Sequence, residues 1–296
     1  MNAIVLPHPH LGTHRPQPRL STEVRSLREH ALWITLHRDA ATGLQNFTPD
    51  LVQEFRGLVE DLHDDRQRRP LPPYAVVQSA DPDYFSMGGD LRFFRDCIER
   101  RDAATLREYS MRCLDLLLSW NGKLKATTTS VALVQGRALG GGFEMALSTD
   151  YLIAEAHSSF GFPEIMFGLF PCTGAMGLLA SRIGPRNAER MMTNKKIYGA
   201  AELYEMGLVD EICPTGQGEL AVERFIANHA SRMKARLKVQ QSRFRHETLA
   251  HAEGVRVVED WVETAMCLSP EELRSMDMLI MMQAREAAMP GRRQAA

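Results

Sequence analysis

A glycine triplet between an apolar run and a helix-like run constrains the fold of this chain more than any other feature. The apolar run 131–134 leads into the triplet 140–142, and the helix-like run that follows carries Glu144. Glycines at a strand-to-helix turn let the backbone approach a ligand closely. The first amides of the next helix have no partner within it and lie at the positive end of its dipole. The sequence therefore predicts a strand–turn–helix unit that stabilises an oxygen atom gaining negative charge.

A second acidic residue follows this turn and is close enough in sequence to share its site. Glu144 lies three residues after Gly141, and Glu164 follows in the segment GFPEIMFGLFP. Two nearby carboxyl groups in an apolar pocket have their pKa values pushed apart, so that one acts as base and the other as acid at neutral pH. The pattern predicts proton-transfer chemistry on a carbonyl compound. Taken singly, each feature also has an ordinary interpretation, namely helix packing for the glycines and a solvated surface for either glutamate.

Composition narrows the expected partners and compartment. The net charge of −2 over 296 residues gives no electrostatic reason to expect nucleic acid or an anionic membrane as partner. No apolar run reaches the roughly 20 residues that a membrane span needs. The five cysteines are widely spaced and form no CxxC motif, which indicates reduced thiols in the cytoplasm. We therefore expect a cytoplasmic protein without metal or cofactor, in which Cys172 is an alternative nucleophile that no histidine is evidently placed to activate.

Strand-like and helix-like segments alternate through most of the chain, which implies parallel strands joined by crossover helices. Residues 1–25 are predicted to form a flexible tail rich in proline and histidine, with an apolar piece too short for a signal peptide. An α/β core over 26–217 and a helical C-terminal section over 218–296 follow. The predicted strands are 31–36, 74–78, 131–134, 151–154, 159–160 and 209–213. Two predicted helices begin at residues 48 and 90. The other predicted helices span 103–120, 174–182, 186–192 and 199–207.

Blocks of sequence in a characteristic order resemble the crotonase (enoyl-CoA hydratase/isomerase) superfamily over about residues 31–285. They are LWITLHRD, FSMGGDLRFF, ALVQGRALGGGFEMALSTDYLIAEAHSSFGFPE, GLFPCTGAMGLLASRIG and AAELYEMGLVDEI. The resemblance implies an α/β fold with a crotonase-like ββα spiral core, two roughly perpendicular sheets, a helical C-terminal section, and assembly as a trimer or dimer of trimers. It also implies a thioester carbonyl held by the backbone amides of Gly89 and Gly141, with Glu144 and Glu164 as the catalytic carboxyl groups.

Four blocks are similar to one branch of that superfamily, the bacterial diffusible-signal-factor synthases. They are VALVQGRALGGGFEMALS, PEIMFGLFPCTGAMGLLASRI, MGLVDEICPTGQGELAVE and WVETAMCLSPEELRSMDML. This similarity implies dehydration of a 3-hydroxyacyl thioester on acyl carrier protein, followed by hydrolysis that releases a cis-2-unsaturated fatty acid used in quorum sensing. An enoyl-CoA hydratase of fatty-acid degradation, acting on acyl-CoA, needs the same two glutamates and stays open as the alternative. The mild net charge and the lack of an aromatic-basic patch disfavour an RNA-binding member of the fold.

The working assignment makes Glu164 the base for the α-proton and Glu144 the group that handles the hydroxyl or water, with the reverse assignment left open. Two basic stretches, 95–101 and 232–238, are either docking sites for an acidic carrier or coenzyme A phosphates, or solvated helix faces. Residues expected to line the substrate pocket, each of which is also an ordinary core candidate, are Met87, Gly88, Leu139, Gly140, Met166, Phe167, Phe170, Met176 and Trp261.

Overall fold

The computed structural model describes residues 18–26, 29–65, 72–123, 127–246 and 250–288. Strands and helices are numbered here in chain order. The strands are β1 Leu20–Ser26, β2 His30–Leu36, β3 Tyr74–Ser79, β4 Tyr84–Ser86, β5 Thr129–Val134, β6 Arg137–Leu139, β7 Tyr151–Glu155, β8 Ser159–Gly161, β9 Tyr198–Gly199 and β10 Glu211–Cys213. The helices are α1 Pro49–Asp65, α2 Leu91–Glu99, α3 Ala103–Lys123, α4 Gly141–Leu147, α5 Ala175–Ile183, α6 Pro185–Thr193, α7 Ala200–Glu205, α8 Gly218–Ala230, α9 Met233–His246, α10 His251–Met266 and α11 Pro270–Ala287, with a short 3-10 helix at Glu164–Phe167.

The larger sheet has the strand order β1-β2-β3-β5-β7-β10. All its neighbouring pairs are parallel except β1 and β2, which confirms the predicted crossover topology. Both faces of its central strands are covered, because Val77 packs into the main core while Val76 and Val131 pack into a second cluster with residues of α8. Strands buried on both faces are apolar throughout, which is why β3 and β5 are recognisable in the sequence.

The smaller sheet has the order β4-β6-β8-β9 and carries the loops that build the site. Its first three strands are parallel and have three residues each, whereas β9 runs antiparallel to β8. Of these four strands, the sequence predicted only β8. Strands β4, β6 and β9 are too short for an alternating pattern to emerge, so tertiary contacts rather than local periodicity define them.

The predicted tail over residues 1–25 is wrong at its C-terminal end. Residues Leu20–Ser26 form the edge strand β1, which pairs along its full length with β2. The sequence of β1, LSTEVRS, lacks an apolar run because most of its side chains are only half-buried. The rest of the predicted tail, residues 1–17, lies outside the described residues.

Helix α2 starts directly after the first glycine loop, and its position is fixed by a side-chain cap. The Asp90 carboxylate accepts hydrogen bonds from the amides of Arg92 and Phe93, at 3.1 and 3.2 Å. Such a cap satisfies amides that have no partner within the helix. The C-terminal section is helical as predicted, from α8 to α11. Within the described ranges, none of the helices combines the length and apolarity required to cross a membrane.

The turn between β5 and β6 gives a test of how closely the two sheets approach. Gly136 has φ of +152°, and a Cβ there would lie 2.6 Å from the carbonyl carbon and oxygen of Asp83. We expect Gly136→Ala to lower the free energy of unfolding by about 3 kcal/mol, because backbone atoms cannot move aside. Gly57→Ala is the matched control, since Gly57 lies within α1 with no atom within 4 Å of the added methyl group. It should raise stability by about 0.5–1 kcal/mol. Denaturant titration measures both changes, and wild-type stability of Gly136→Ala would contradict this account of the turn.

Candidate active site

Two glycine turns from different parts of the chain meet at the C-terminal ends of β4 and β6. Gly88 has φ of +93°, and a Cβ on it would lie 2.8 Å from the carbonyl oxygen of Leu139 and 3.4 Å from the amide nitrogen of Gly141. Gly140 has φ of +51°. Positive φ and this close approach both require glycine at these positions. The turns therefore pack backbone against backbone, as the predicted carbonyl-binding site needs.

The amides of Gly89 and Gly141 face one shared space. The amide nitrogen of Gly89 lies 3.8 Å from the position that a Cβ on Gly141 would occupy. Among the described residues, neither amide donates to a protein acceptor. Two unpaired N–H groups converging on one cavity have the geometry that stabilises an oxyanion.

Glu144 is buried in the first turn of α4 and held in one orientation. Its Oε1 accepts hydrogen bonds from the amides of Thr173 and Ala175 at 2.9 and 3.0 Å, and its Oε2 accepts one from the Thr173 hydroxyl at 2.6 Å. Burial raises the pKa of Glu144, while the hydrogen bonds from Thr173 and Ala175 act against that rise. The three donors favour the ionised form.

Glu164 begins the 3-10 helix and has a different environment. Its Oε2 is buried and has no hydrogen-bond partner. A Cβ on Gly140 would collide with its Oε1, so glycine at that position leaves room for the carboxyl group. Burial, with a further contribution from the Glu144 charge, raises the pKa of Glu164 to about 8.

The different environments of the two carboxyl groups favour the neutral form of Glu164 and, through its three donors, the ionised form of Glu144. Glu144 accepts three hydrogen bonds that stabilise its charge, whereas Glu164 has none at Oε2. Such a difference in environment is what separates an acid from a base in a carboxyl pair. A neutral Glu164 is the reverse of the state that the working assignment needs for α-proton removal.

An apolar inner cavity begins at these groups and extends between α1 and α3. Gly89, Gly141, Glu144, Glu164 and Thr173 lie at its polar end. Four of its residues from α3 recur at the spacing of one helix face. The remaining lining is Phe47, Val52, Phe94, Tyr109, Cys113, Leu116, Leu117, Met145, Phe170, Cys172 and Trp261. Apolar side chains with a few polar groups among them are the lining that suits a ligand with an aliphatic chain and a carbonyl group.

A second, outer cavity meets the inner one at Gly89, Phe94, Glu164 and Trp261. Its more polar end carries Arg137, whose Nη1 donates to the Tyr84 hydroxyl at 3.2 Å; Arg137 also lies 3.7 Å from Glu286 of α11. The remaining lining is Met87, Gly88, Leu91, Leu139, Gly140, Pro163, Phe167, Leu279, Met282 and Gln283. The two cavities therefore adjoin each other beside Glu164 and Trp261.

The structure brings together all but two of the predicted site residues. Glu144, Glu164, Gly89, Gly141 and Phe170 line the inner cavity, and Trp261 lines both cavities. The other predicted residues line the outer cavity, namely Met87, Gly88, Leu139, Gly140 and Phe167. Met176 and Met166 are wrong as pocket residues, because their side chains are 41% and 47% exposed and line neither cavity. They lie on the solvent side of α5 and of the 3-10 helix, a placement that depends on tertiary packing.

Sequence reasoning missed Thr173 and the lining face of α3. Thr173 lies within the quoted block GLFPCTGAMGLLASRIG, but nothing local shows that its hydroxyl reaches Glu144. Cys172 lines the inner cavity, where burial and the neighbouring Glu144 charge raise its thiol pKa well above the usual value. A neutral thiol is a poor nucleophile, so Cys172 does not fit that role.

In the part of the chain that the structure describes, His, Cys, Asp and Glu side chains form no group of three placed to hold a metal ion.

This fold and site define a member of the enoyl-CoA hydratase/isomerase family, whose members are enzymes. The profile of that family matches residues 28–269, so the chain belongs to it. The expected α/β fold with a helical C-terminal section is confirmed by solved relatives. One is an enoyl-CoA hydratase from Bacillus halodurans, with a TM-score of 0.71, 22% identity, and coverage of 88% of this chain and 100% of that one. Another is Pseudomonas aeruginosa DspI, with a TM-score of 0.66, 25% identity, and coverage of 91% and 99%.

Curated relatives point to the same family. The chain is 32% identical over 203 residues to the probable enoyl-CoA hydratase echA8 of Mycobacterium tuberculosis, covering 68% of this chain and 72% of that protein. It is 31% identical over 166 residues to the enoyl-CoA isomerase/hydratase fer4 of Mycosarcoma maydis, covering 56% of this chain. That alignment spans 58% of the length of fer4.

The buried Glu164 carboxyl makes a prediction about stability that is independent of activity. Its pKa rises on folding from 4.5 to about 8, so the native state holds a proton that the unfolded state has lost between these values. Stability should therefore fall with rising pH in this window, by about 1.4 kcal/mol per pH unit. Glu164→Gln removes this loss and should gain about 2–3 kcal/mol relative to wild type between about pH 5.5 and 7.5.

Denaturant unfolding at the two pH values measures this difference. Glu205→Gln, the same chemical change at an exposed position of α7, is the matched control and should keep the wild-type pH dependence. Equal pH dependence for Glu164→Gln and wild type would show that the Glu164 carboxyl is ionised in the native state at neutral pH.

Proposed function

We propose that this protein dehydrates 3-hydroxyacyl thioesters carried by acyl carrier protein and then hydrolyses the thioester, releasing a cis-2-unsaturated fatty acid signal. The observation that carries the proposal is the inner cavity, in which apolar side chains adjoin two unpaired amides and two carboxyl groups in contrasting environments. In line with the family resemblance, the proposal also places the enzyme in the cytoplasm as a trimer or dimer of trimers.

In the dehydration step, the thioester oxygen lies between the amides of Gly89 and Gly141. One carboxylate takes the α-proton, and the electron pair of that C–H bond moves toward the carbonyl, where the two amides stabilise the enolate-like oxygen. The other carboxyl group gives its proton to the β-hydroxyl, which leaves as water, and the α–β double bond forms. Loss of one such amide donor costs roughly 3–4 kcal/mol of barrier.

The position of the proton before substrate binds determines which direction of the reaction starts without a prior proton shift. With Glu164 facing the α-carbon and Glu144 facing the β-carbon, addition of water starts directly from the resting state. Elimination starts from the opposite arrangement, in which Glu144 carries the proton. Both directions need one proton on the pair, so activity is expected only where one of the two groups is protonated and the other ionised.

In the hydrolysis step, a carboxylate removes a proton from water, and the resulting hydroxide attacks the thioester carbon. The amides of Gly89 and Gly141 stabilise the tetrahedral oxyanion, and its collapse breaks the C–S bond. The carrier thiolate takes a proton from the carboxyl group and leaves, giving the free acid. The same groups thus serve both steps.

The blocks similar to the diffusible-signal-factor synthases coincide with the cavity lining, which supports this branch of the family. The block PEIMFGLFPCTGAMGLLASRI supplies Glu164, Phe170 and Thr173, and the C-terminal block starts with Trp261. Similarity confined to the surface would carry no information about substrate. Here it covers the groups that surround the reacting atoms and the chain.

An enoyl-CoA hydratase is the second candidate, favoured by the similarity to relatives such as the probable enoyl-CoA hydratase echA8. The two candidates differ in one product. A synthase converts 3-hydroxydodecanoyl carrier protein into a free 2-enoic acid, whereas a hydratase leaves the thioester bond intact.

Mass spectrometry of the products from purified protein separates these outcomes. Free cis-2-dodecenoic acid is the expected result, and an unchanged total of thioester would overturn the proposed hydrolysis. The control variants are Glu144→Gln and Glu164→Gln, each of which should lower turnover by about 10²–10⁴-fold because it removes one proton-transfer group. Retained turnover in both variants would refute the carboxyl pair as the reacting groups.

The shared proton also predicts how activity depends on pH. The kcat/KM of the wild type should fall above about pH 8, because the pair then loses its only proton as Glu164 ionises. Steady-state rates across the pH range measure this decline in kcat/KM at high pH. A rate that keeps rising above that pH would contradict a required proton on the pair.

Two substitutions at Thr173 test the acidic limb of the pH–rate profile. Thr173→Val removes the hydroxyl that donates to Glu144 Oε2, so the ionised form loses a donor and the acid limb should move to higher pH. Thr173→Ser keeps the hydroxyl and should retain the wild-type profile. Identical profiles for the two variants would show that the Thr173 hydroxyl does not tune the pair.

A further inference from the structure

A buried arginine at the start of β1 lies outside both cavities and is linked to the site by hydrogen bonds. Arg19 is only 6% exposed. Its Nε donates to the carbonyl oxygen of His37 at 3.0 Å, and its Nη1 donates to Asp39 at 3.2 Å and to the Thr48 hydroxyl at 2.9 Å. Its Nη2 donates to the carbonyl oxygen of Asn46 at 2.8 Å. The guanidinium thus binds both ends of the segment between β2 and α1.

The C-terminal part of that segment, residues 44–48, in turn holds the first glycine loop. The amide of Met87 donates to the carbonyl oxygen of Gln45 at 2.6 Å, and the amide of Phe47 donates to the carbonyl oxygen of Gly88 at 2.8 Å. Phe47 also forms an isolated parallel bridge with Gly89. The residues that precede the Gly89 amide are therefore fixed by contacts with a segment that belongs to neither a helix nor a regular strand.

Arg19 is itself fixed in place. Its backbone amide donates to Glu54 of α1 at 3.1 Å, and the next amide, of Leu20, donates to the same carboxylate at 3.2 Å. An arginine can make several bonds of fixed geometry because its guanidinium is planar and rigid. The contacts form one continuous path from α1 through Arg19 and Asn46 to the Gly88 carbonyl.

We propose that Arg19 is a positioning residue, which holds the Gly89 amide in the oxyanion hole through the segment 44–48. The proposal rests on the oxyanion hole of the proposed function. It assigns to the edge strand β1 a part in the reaction, although Arg19 touches no substrate. Small displacements of such a donor lower the rate strongly, since a misplacement of about 1 Å can cost about 10²-fold.

A purely structural role for Arg19 predicts lower stability without any change in the polarisation of a bound carbonyl. The carbonyl stretching frequency of a bound thioester separates the two roles, because it falls when amides donate to the oxygen. The probe is a dodecenoyl-CoA isotopically labelled at the carbonyl carbon. It is measured by infrared difference spectroscopy on Glu164→Gln protein, in which turnover is suppressed, with and without a change at Arg19.

Arg19→Met should return the frequency at least halfway toward that of the free thioester. In the wild-type background the same change should lower kcat by about 10- to 100-fold with little change in KM. Arg19→Lys keeps the cation but loses the planar fork that bridges Asn46 and Thr48, so it should give an intermediate shift and also serves if Arg19→Met does not fold. Arg25→Met is the matched control, because Arg25 lies on β1, the strand that Arg19 directly precedes, and pairs with Glu23 and Glu219. It should leave the frequency and kcat unchanged.

The outcomes distinguish this proposal from the proposed function. If the carbonyl frequency is lowered in the Glu164→Gln reference and both Arg19 variants keep that lowering, the positioning role is overturned. The oxyanion hole then remains supported. A reference without any lowering would overturn the oxyanion hole and, with it, the role of Arg19. Equal loss of kcat in Arg19→Met and Arg25→Met would also overturn the positioning role, because general destabilisation would then explain it.

Discussion

The backbone contact between the turn at Gly88–Gly89 and the turn at Gly140–Gly141 is the constraint on which the rest of the site depends. Any side chain at Gly88 would meet the Leu139 carbonyl, and any at Gly140 would meet Glu164. Because the turns touch directly, two amides that are about 50 residues apart in sequence open into one space. The smaller sheet brings these turns together, because its strands β4 and β6 pair immediately before them.

Around that contact, the protein supplies two carboxyl groups with opposite environments. Thr173 and Ala175 surround Glu144 with donors, while Glu164 has a buried oxygen with no partner. Burial without compensation normally costs stability, and here it raises the pKa of Glu164 to about 8. The apolar side chains that line the cavity beside the pair are part of the burial that raises this pKa.

Much of this arrangement was predictable from residues close together in sequence. The glycine triplet with Glu144 three residues after Gly141, and the capped start of α2 at Asp90, follow from local rules of turns and helix ends. The edge strand β1 and the short strands β4, β6 and β9 were not predictable, because their residues pair through contacts distant in sequence. Met166 and Met176 show the same limit, since apolar composition alone does not reveal which face of a helix meets the cavity.

The sequence by itself determined the family, the parallel larger sheet and the identity of the glycine turns and paired glutamates, because these depend on local backbone preference and on motifs in fixed order. Only the tertiary structure decided how the environments of the two glutamates differ, through the donors of Thr173 and the unpartnered oxygen of Glu164. It also decided that Arg19 reaches the glycine loop through residues 44–48. Hydrogen bonds between distant segments, and the burial that modifies charge, arise only when the chain has folded.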